Sequence, residues 1–279
     1  MFDCHAHIYS TQFLGKDITI ILQEAELVGV KGILSVPEKL SDVDEIQELA
    51  NLNPIIKPCA GLHPVQVEKD GKVRSVMEVE VGPMIEKIRE LNEKQKIFAI
   101  GEIGLDFSPH VLSSEINPKV SAEKLKEIQC YVFSAQLKVA RELNLAVNVH
   151  SRSAGHYAIS MLEAHKIELA VLHAYDGKAS SAKKGVELGY YFSIPPSILR
   201  SPQKQKLVSV VPLSNLLLET DSPALGPEKG VDNVPSNLII SAREIARIKD
   251  VSVEEVIRIT TENAYKVFPL LNKNPLQQC

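Results

Sequence analysis

The sequence has no apolar run near the ~20 residues needed to cross a bilayer. Its amino terminus, Met1-Phe2-Asp3-Cys4-His5, has neither the basic nor the apolar stretch of a secretion signal. The four cysteines, Cys4, Cys59, Cys130 and Cys279, form no CxxC pair and no dense framework, which excludes a disulfide scaffold and fits a reducing compartment. Positive charge is not in excess: 31 Lys and Arg stand against 35 Asp and Glu, a formal −4. Nucleic acid therefore cannot be held by overall positive potential, although a local basic cleft stays open. No G-x-G-x-x-G or Walker spacing occurs among the glycine turns, which argues against a nucleotide cofactor. Linkers, short repeats and low-complexity tracts are missing as well. The expectation is a soluble intracellular protein, cytoplasmic or nuclear, with no membrane partner and no obligate protein partner.

What is present is the composition of an ordinary globular chain: 279 residues, 44% hydrophobic and 24% charged, enough for a core without covalent staples. Short apolar runs alternate with longer amphipathic ones. The short runs, at 2–7, 30–36, 55–62, 97–103, 145–150, 169–173, 190–194 and 216–220, are rich in Val, Ile and Leu and bounded by turn residues, as buried parallel strands should be. Between them, Leu125, Ile128, Val132, Ala135 and Val139 recur at helical spacing behind Ser121 as N-cap, and Ser252 with Glu255 makes a capping box. Eight strands alternating with helices point to a single-domain (β/α)8 TIM barrel over residues 1–268, followed by a tail at 269–279. A doubly wound open sheet is the competing architecture, which periodicity does not separate. Only two residues precede Asp3, so the first strand is expected to be short and the barrel floor beneath it thinly packed. Two long loops, 105–120 and 222–236, follow strands and so belong on the catalytic rim.

The polar residues fall in a pattern. His5 and His7 end the first run, Glu102 the fourth, His150 the fifth and His173 the sixth, and Asp221 follows the eighth. In a parallel barrel those ends meet at one mouth. His5 and His7 are two apart and share a face, which turns Cys4 and Ala6 the other way. Four imidazoles and two carboxylates are too many for one tetrahedral ion and suit two divalent ions about 3.5–4 Å apart, with Glu102 as the natural bridge. The mixed donor set admits Zn, Mn, Co or Mg. Asp221 is the candidate for accepting the proton of an attacking water, so Glu102 and Asp221 carry the catalytic roles. His63 and Arg152 are candidate substrate contacts, Arg152 through its planar fork on a phosphate. Asp3 is expected to orient a ligand imidazole. His110, His156 and His165 are read as packing residues.

Asp3-Cys4-His5-Ala6-His7, Gly61-Leu62-His63-Pro64, Gly101-Glu102-Ile103-Gly104-Leu105-Asp106, Val149-His150-Ser151-Arg152, His173-Ala174-Tyr175-Asp176-Gly177 and Glu219-Thr220-Asp221-Ser222-Pro223 come in that order. Together they resemble the TatD metal-dependent deoxyribonucleases of the amidohydrolase superfamily, over nearly the whole chain. The resemblance implies a TIM-barrel hydrolase in which His5 and His7 hold one ion with Asp221, His150 and His173 hold the second, and Glu102 bridges both. It also implies 3′→5′ exonuclease action on DNA, single-stranded or at 3′ ends, and in some members cleavage at abasic sites. Two departures lie where substrate would sit: Ala174-Tyr175 replaces the usual Cys-Phe, and Asn233-Val234-Pro235 replaces Asn-Glu-Pro. The rival reading on the same scaffold is hydrolysis of a small-molecule amide, lactone or phosphotriester, and a third is an interaction protein with an empty or single-ion site. Glu102 stands where many barrel amidohydrolases carry a modified lysine, which favours the nuclease branch.

Overall fold

The computed structural model describes residues 1–9, 12–13, 15–68, 70–113 and 120–272. Its strands are β1 (Asp3–Ala6), β2 (Ile33–Ser35), β3 (Ile56–Ala60), β4 (Val65–Val67), β5 (Val73–Ser75), β6 (Ala99–Gly104), β7 (Val147–His150), β8 (Ala170–Leu172), β9 (Tyr191–Ile194) and β10 (Leu216–Leu218). The helices are α1 (Ile18–Leu27), α2 (Leu40–Leu52), α3 (Val81–Glu93), α4 (Pro109–Leu112), α5 (Ala122–Leu143), α6 (Gly155–Ala164), α7 (Ala179–Glu187), α8 (Pro202–Val210), α9 (Leu238–Lys249) and α10 (Val253–Val267). Eight strands pair in the order β1-β2-β3-β6-β7-β8-β9-β10, each parallel to its neighbours. Two backbone bonds join the ends of that row beyond β10: Asp221 N–H donates to His5 O at 2.9 Å and His7 N–H to Ser222 O at 2.8 Å. The sheet closes into a (β/α)8 barrel, and the open doubly wound sheet is set aside.

Every expected strand run overlaps a barrel strand. The remaining two strands, β4 and β5, form an antiparallel hairpin in the connection after β3 that periodicity did not flag, each only three residues long. Helix starts follow side-chain chemistry. Ser121, Ser201 and Ser252 accept from the N–H of Lys124, Lys204 and Glu255 at 3.2, 3.3 and 3.1 Å, which satisfies donors that helix geometry leaves free. Only half of the expected capping box forms at Ser252, because the Glu255 carboxylate turns to Arg258 at 2.8 and 2.9 Å.

Outward strand residues such as Ile33, Val147 and Leu172 pack under the helices in the main core. A second cluster fills the barrel floor: Phe2, Cys4, Leu34, Cys59, Val171 and Leu217, capped from below by Ala264, Val267 and Phe268 at the end of α10. The floor under β1 is closed, with Met1 and Phe2 both buried and the Met1 amino group bonded to Gly29 O at 2.8 Å. Of the expected tail, Leu271 packs against this floor cluster, while residues 273–279, Cys279 among them, lie outside the described residues. Residues 114–119 of the first long loop lie outside them too. Among the described residues no helix is long and apolar enough to cross a membrane.

Two irregularities aim the strands at the mouth. Asp3 pairs with Ile33 but Ala6 with Ser35, and Ile100 pairs with Val147 but Ile103 with Val149. In each case three steps on one strand face two on the next, a β-bulge that brings an extra residue to one side. On β1 this puts Cys4 in the floor cluster directly below His5, rather than on the opposite face as strict alternation requires. On β6 the bulge falls at Gly101-Glu102. An ideal Cβ at Gly101 would lie 2.6 Å from Asn148 Cβ, and one at Gly104, whose φ is +143°, would lie 2.0 Å from His150 O. Both glycines let β6 press against β7 where Glu102 and His150 emerge.

Candidate metal centre

Seven polar side chains crowd the mouth: His5, His7, His63, Glu102, His150, His173 and Asp221, none more than 8% exposed. Glu102 divides them. Its Oε2 lies 3.5 Å from His5 Nε2 and 3.4 Å from His7 Nε2. Its Oε1 lies 2.8 Å from His150 Nδ1, 2.9 Å from His173 Nε2 and 3.4 Å from His63 Nε2.

The first group centres on the two imidazoles of His5 and His7. Asp221 Oδ1 is 3.4 Å from His5 Nε2 and 3.5 Å from His7 Nε2, and the two imidazole nitrogens are 3.4 Å apart. Three atoms about 3.4 Å apart, as in His5, His7 and Asp221 or in His5, His7 and Glu102, leave room for an ion roughly 2.1 Å from each, the length of a Zn–N or Zn–O bond. The tautomers suit that role. Asn148 donates through Nδ2 to Cys4 O at 2.8 Å, so its Oδ1 faces His5 Nδ1, also at 2.8 Å, as an acceptor. His7 Nδ1 likewise meets Val36 O at 3.1 Å. Both Nδ1 atoms therefore carry hydrogen, and both Nε2 lone pairs point at carboxylate oxygens. Four acceptors facing one another fit a cation. The second group, around Glu102 Oε1, offers three imidazole nitrogens, and His5, His7 and Glu102, His63, Glu102 and His150, or His5, His173 and Asp221 could each hold an ion.

Without a cation the same groups hold protons. Burial would lower His5, but Glu102 and Asp221 outweigh it and push it up to about 10. Burial opposes His150 too, yet Asp106 and Glu102 raise it to about 9. Burial and the charge on His5 lower His173 to about 3. Asp221 stays well below the usual carboxylate range despite burial, held by His5 and His7. Glu219 is pushed up to about 8 by burial beneath the site.

The structure brings all six expected ligands together, and His63 with them, its ring edge-on to His150 at 4.5 Å and its Nδ1 2.9 Å from Val65 O. Arg152 stands at the rim, half exposed, its Nη1 4.0 Å from Asp106 Oδ2. Asp3 behaves differently from expectation. It orients no imidazole; it accepts from His5 N–H at 3.3 Å, Thr220 N–H at 3.0 Å and Thr220 Oγ1 at 2.6 Å, tying β1 to the chain after β10. His110 is exposed and lines the mouth rather than packing. Three supporting residues went unassigned in the sequence: Asn148 behind His5, Asp106 at 3.0 Å from His150 Nε2, and Glu219, which accepts from Ser193 Oγ at 2.5 Å and Ala174 N–H at 2.9 Å beside His173. Asp106 and Glu219 lie inside the quoted motifs, so the signal was there; nothing in the spacing singled out Asn148.

Donor groups of this kind at the mouth of a parallel barrel define a metal-dependent hydrolase, and the chain belongs to the TatD related DNase family, whose model matches residues 2–269. It is 45% identical over 273 residues to human deoxyribonuclease TATDN3, covering 96% of this chain and 94% of that one. It is 29% identical over 278 residues to the uncharacterized metal-dependent hydrolase YabD of Bacillus subtilis, covering 96% of this chain and 98% of the relative. Among solved structures, a TatD homologue from Escherichia coli superposes with a TM-score of 0.80 at 24% identity, covering 96% of this chain and 98% of that one.

Proposed function

We propose that this chain hydrolyses DNA phosphodiester bonds with two divalent ions, Mg, Mn, Zn or Co, working stepwise from a 3′ end and also at abasic sites. The hydrolase unit is assigned to residues 1–268, and three free cysteines among the described residues, two of them fully buried, suit a reducing cytoplasmic or nuclear setting. The observation that carries the reading is the division of the two Glu102 oxygens between two donor groups. Two divalent ions in those groups would lower the pKa of a shared water and neutralise a phosphoryl oxygen.

The chain's own residues do the rest. Glu102 fixes the separation of the two groups, with His5, His7 and Asp221 on one side and His150 and His173 on the other. Asp221 Oδ1 faces the imidazoles, which leaves Oδ2 to take the proton of the attacking water. Asp106 steadies His150. His63 Nε2 and the Arg152 guanidinium are assigned to the phosphoryl oxygens. The cavity over these residues is about 280 Å³, at the small end for ligand sites, which suits the end of a single strand better than a duplex interior.

End-labelled single strands test this directly. Metal-loaded protein should shorten a 5′-labelled strand to a ladder, chelator should stop it, and a duplex with one abasic site should be nicked there. Intact DNA alongside turnover of dipeptides or lactones would instead support the small-molecule rival. Glu102→Gln should lower activity by about 100-fold and leave fewer than two ions per chain by elemental analysis; activity within about tenfold of wild type sinks the bridging role.

A further inference from the structure

The mouth is electrically lopsided. On the side of the loops after β2 and β3, a groove of about 890 Å³ opens beside the centre. Its guanidinium, Arg74, is already engaged, by Glu68 at 2.5 Å and by both oxygens of Glu80 at 2.8 and 2.9 Å. Glu38 and Asp42 line the same groove, so a polyanion meets carboxylates there.

The opposite side is cationic. A cavity of about 140 Å³ shares His150, Arg152 and His173 with the centre and is completed by Lys204 and Asp176 among others. Lys204 is 8% exposed, unusual for a lysine. Its ammonium donates to Ala174 O at 2.8 Å, and among the described residues no carboxylate oxygen lies within ion-pair distance of it. Burial lowers the Lys204 pKa; the fields of Glu219, Asp176 and Asp221 work against that shift, and that of Arg152 adds to it. Lys204 and Arg152 stand beside one small cavity, Lys204 with no carboxylate in ion-pair distance and Arg152 half exposed at 4.0 Å from Asp106, so both have donors left for an incoming anion. Further out, Lys178 and Lys206 line a cavity of about 240 Å³, joined to the first through the bond from Gln203 to Asp176 O.

We infer that Lys204 binds the phosphate next to the scissile one, with Arg152 standing between the two phosphates, so that the strand leaves the centre over α7 and α8 and not over the loops after β2 and β3. This rests on the phosphodiesterase reading above and deepens it: the preferred substrate carries a second phosphate flanking the bond that is cut. Lys204 acts on position and binding, with no part in the proton transfers.

The test compares four phosphodiesters: bis(p-nitrophenyl) phosphate, TpT, pTpT and TpTp. Wild type should prefer one of the two flanked dinucleotides over TpT. Lys204→Met should raise KM for that one about tenfold with kcat unchanged and leave TpT and the nitrophenyl ester alone, while Lys204→Arg restores most of the affinity. Lys39→Met, in the acidic groove, should change none of the four. Equal loss on TpT, no loss on any substrate, or a wild type indifferent to the flanking phosphate overturns the inference, and the last needs no variant to fold. If wild type cleaves none of the four, the phosphodiesterase reading fails and takes this one with it; cleavage of the nitrophenyl ester without flank preference removes the Lys204 assignment alone.

Discussion

Asn148 decides which nitrogen of His5 faces the mouth. It has no contact with the proposed ions, yet its Oδ1 keeps hydrogen on Nδ1 and the lone pair on Nε2. Asn148→Ala should weaken metal binding about 10–100-fold, measured by competition with a chelating dye, with little change in fold by circular dichroism. Affinity within about twofold of wild type would show that the tautomer is set elsewhere. Asp106→Asn replaces a carboxylate facing His150 Nε2 and should drop the raised His150 pKa, read in metal-free protein as a lower pH at the midpoint of its NMR titration. At this scale the ligand positions were legible because histidines and acids at strand ends are rare and share a topological address. Their supports were not: Asn148 sits inside β7, and only the approach of β7 to β1 reveals what it holds.

At the scale of elements, the seam between β1 and β10 is made by side-chain as much as ladder bonds. Asp3 is fully buried and satisfies two donors across that seam, so Asp3→Ala strands a Thr220 N–H and hydroxyl in the interior. The expected cost is about 3 kcal/mol, on the order of 6–10 °C in Tm by calorimetry; a loss under about 2 °C would mean that the seam relaxes onto water. The eight barrel strands were readable from apolar runs bounded by turn residues. The hairpin β4–β5 was not, since Val-Gln-Val and Val-Arg-Ser are too short and too mixed to alternate visibly. The bulges were hidden as well, because register belongs to pairs of strands, and without it Cys4 was turned to the wrong face.

For the whole molecule the centre couples stability to pH. In metal-free protein His5 and His150 are raised above the ordinary value of 6.5, to about 10 and about 9. Groups raised in the folded state contribute stability that is complete below pH ~6.5 and is lost as pH climbs toward the folded values. Chelated protein should therefore lose Tm between pH 6.5 and 9.5 faster than metal-loaded protein, in which ions replace those protons. Parallel Tm curves in the two states would mean that the cluster does not exchange protons for metal. Barrel closure itself could not be read from periodicity, which describes one strand at a time; it depends on contacts such as Asp221 to His5, more than two hundred residues apart.

That closure has a consequence for how the enzyme comes into being. The donors around His5 and His7 arrive from β1 and the residue after it, from β6 and from the residues after β10. A nascent chain halted before residue 216 carries His5 and His7 but has neither Asp221 nor a partner for the free edge of β1. One late stretch of chain thus delivers both the bond that shuts the ring and the carboxylate that faces His5 and His7.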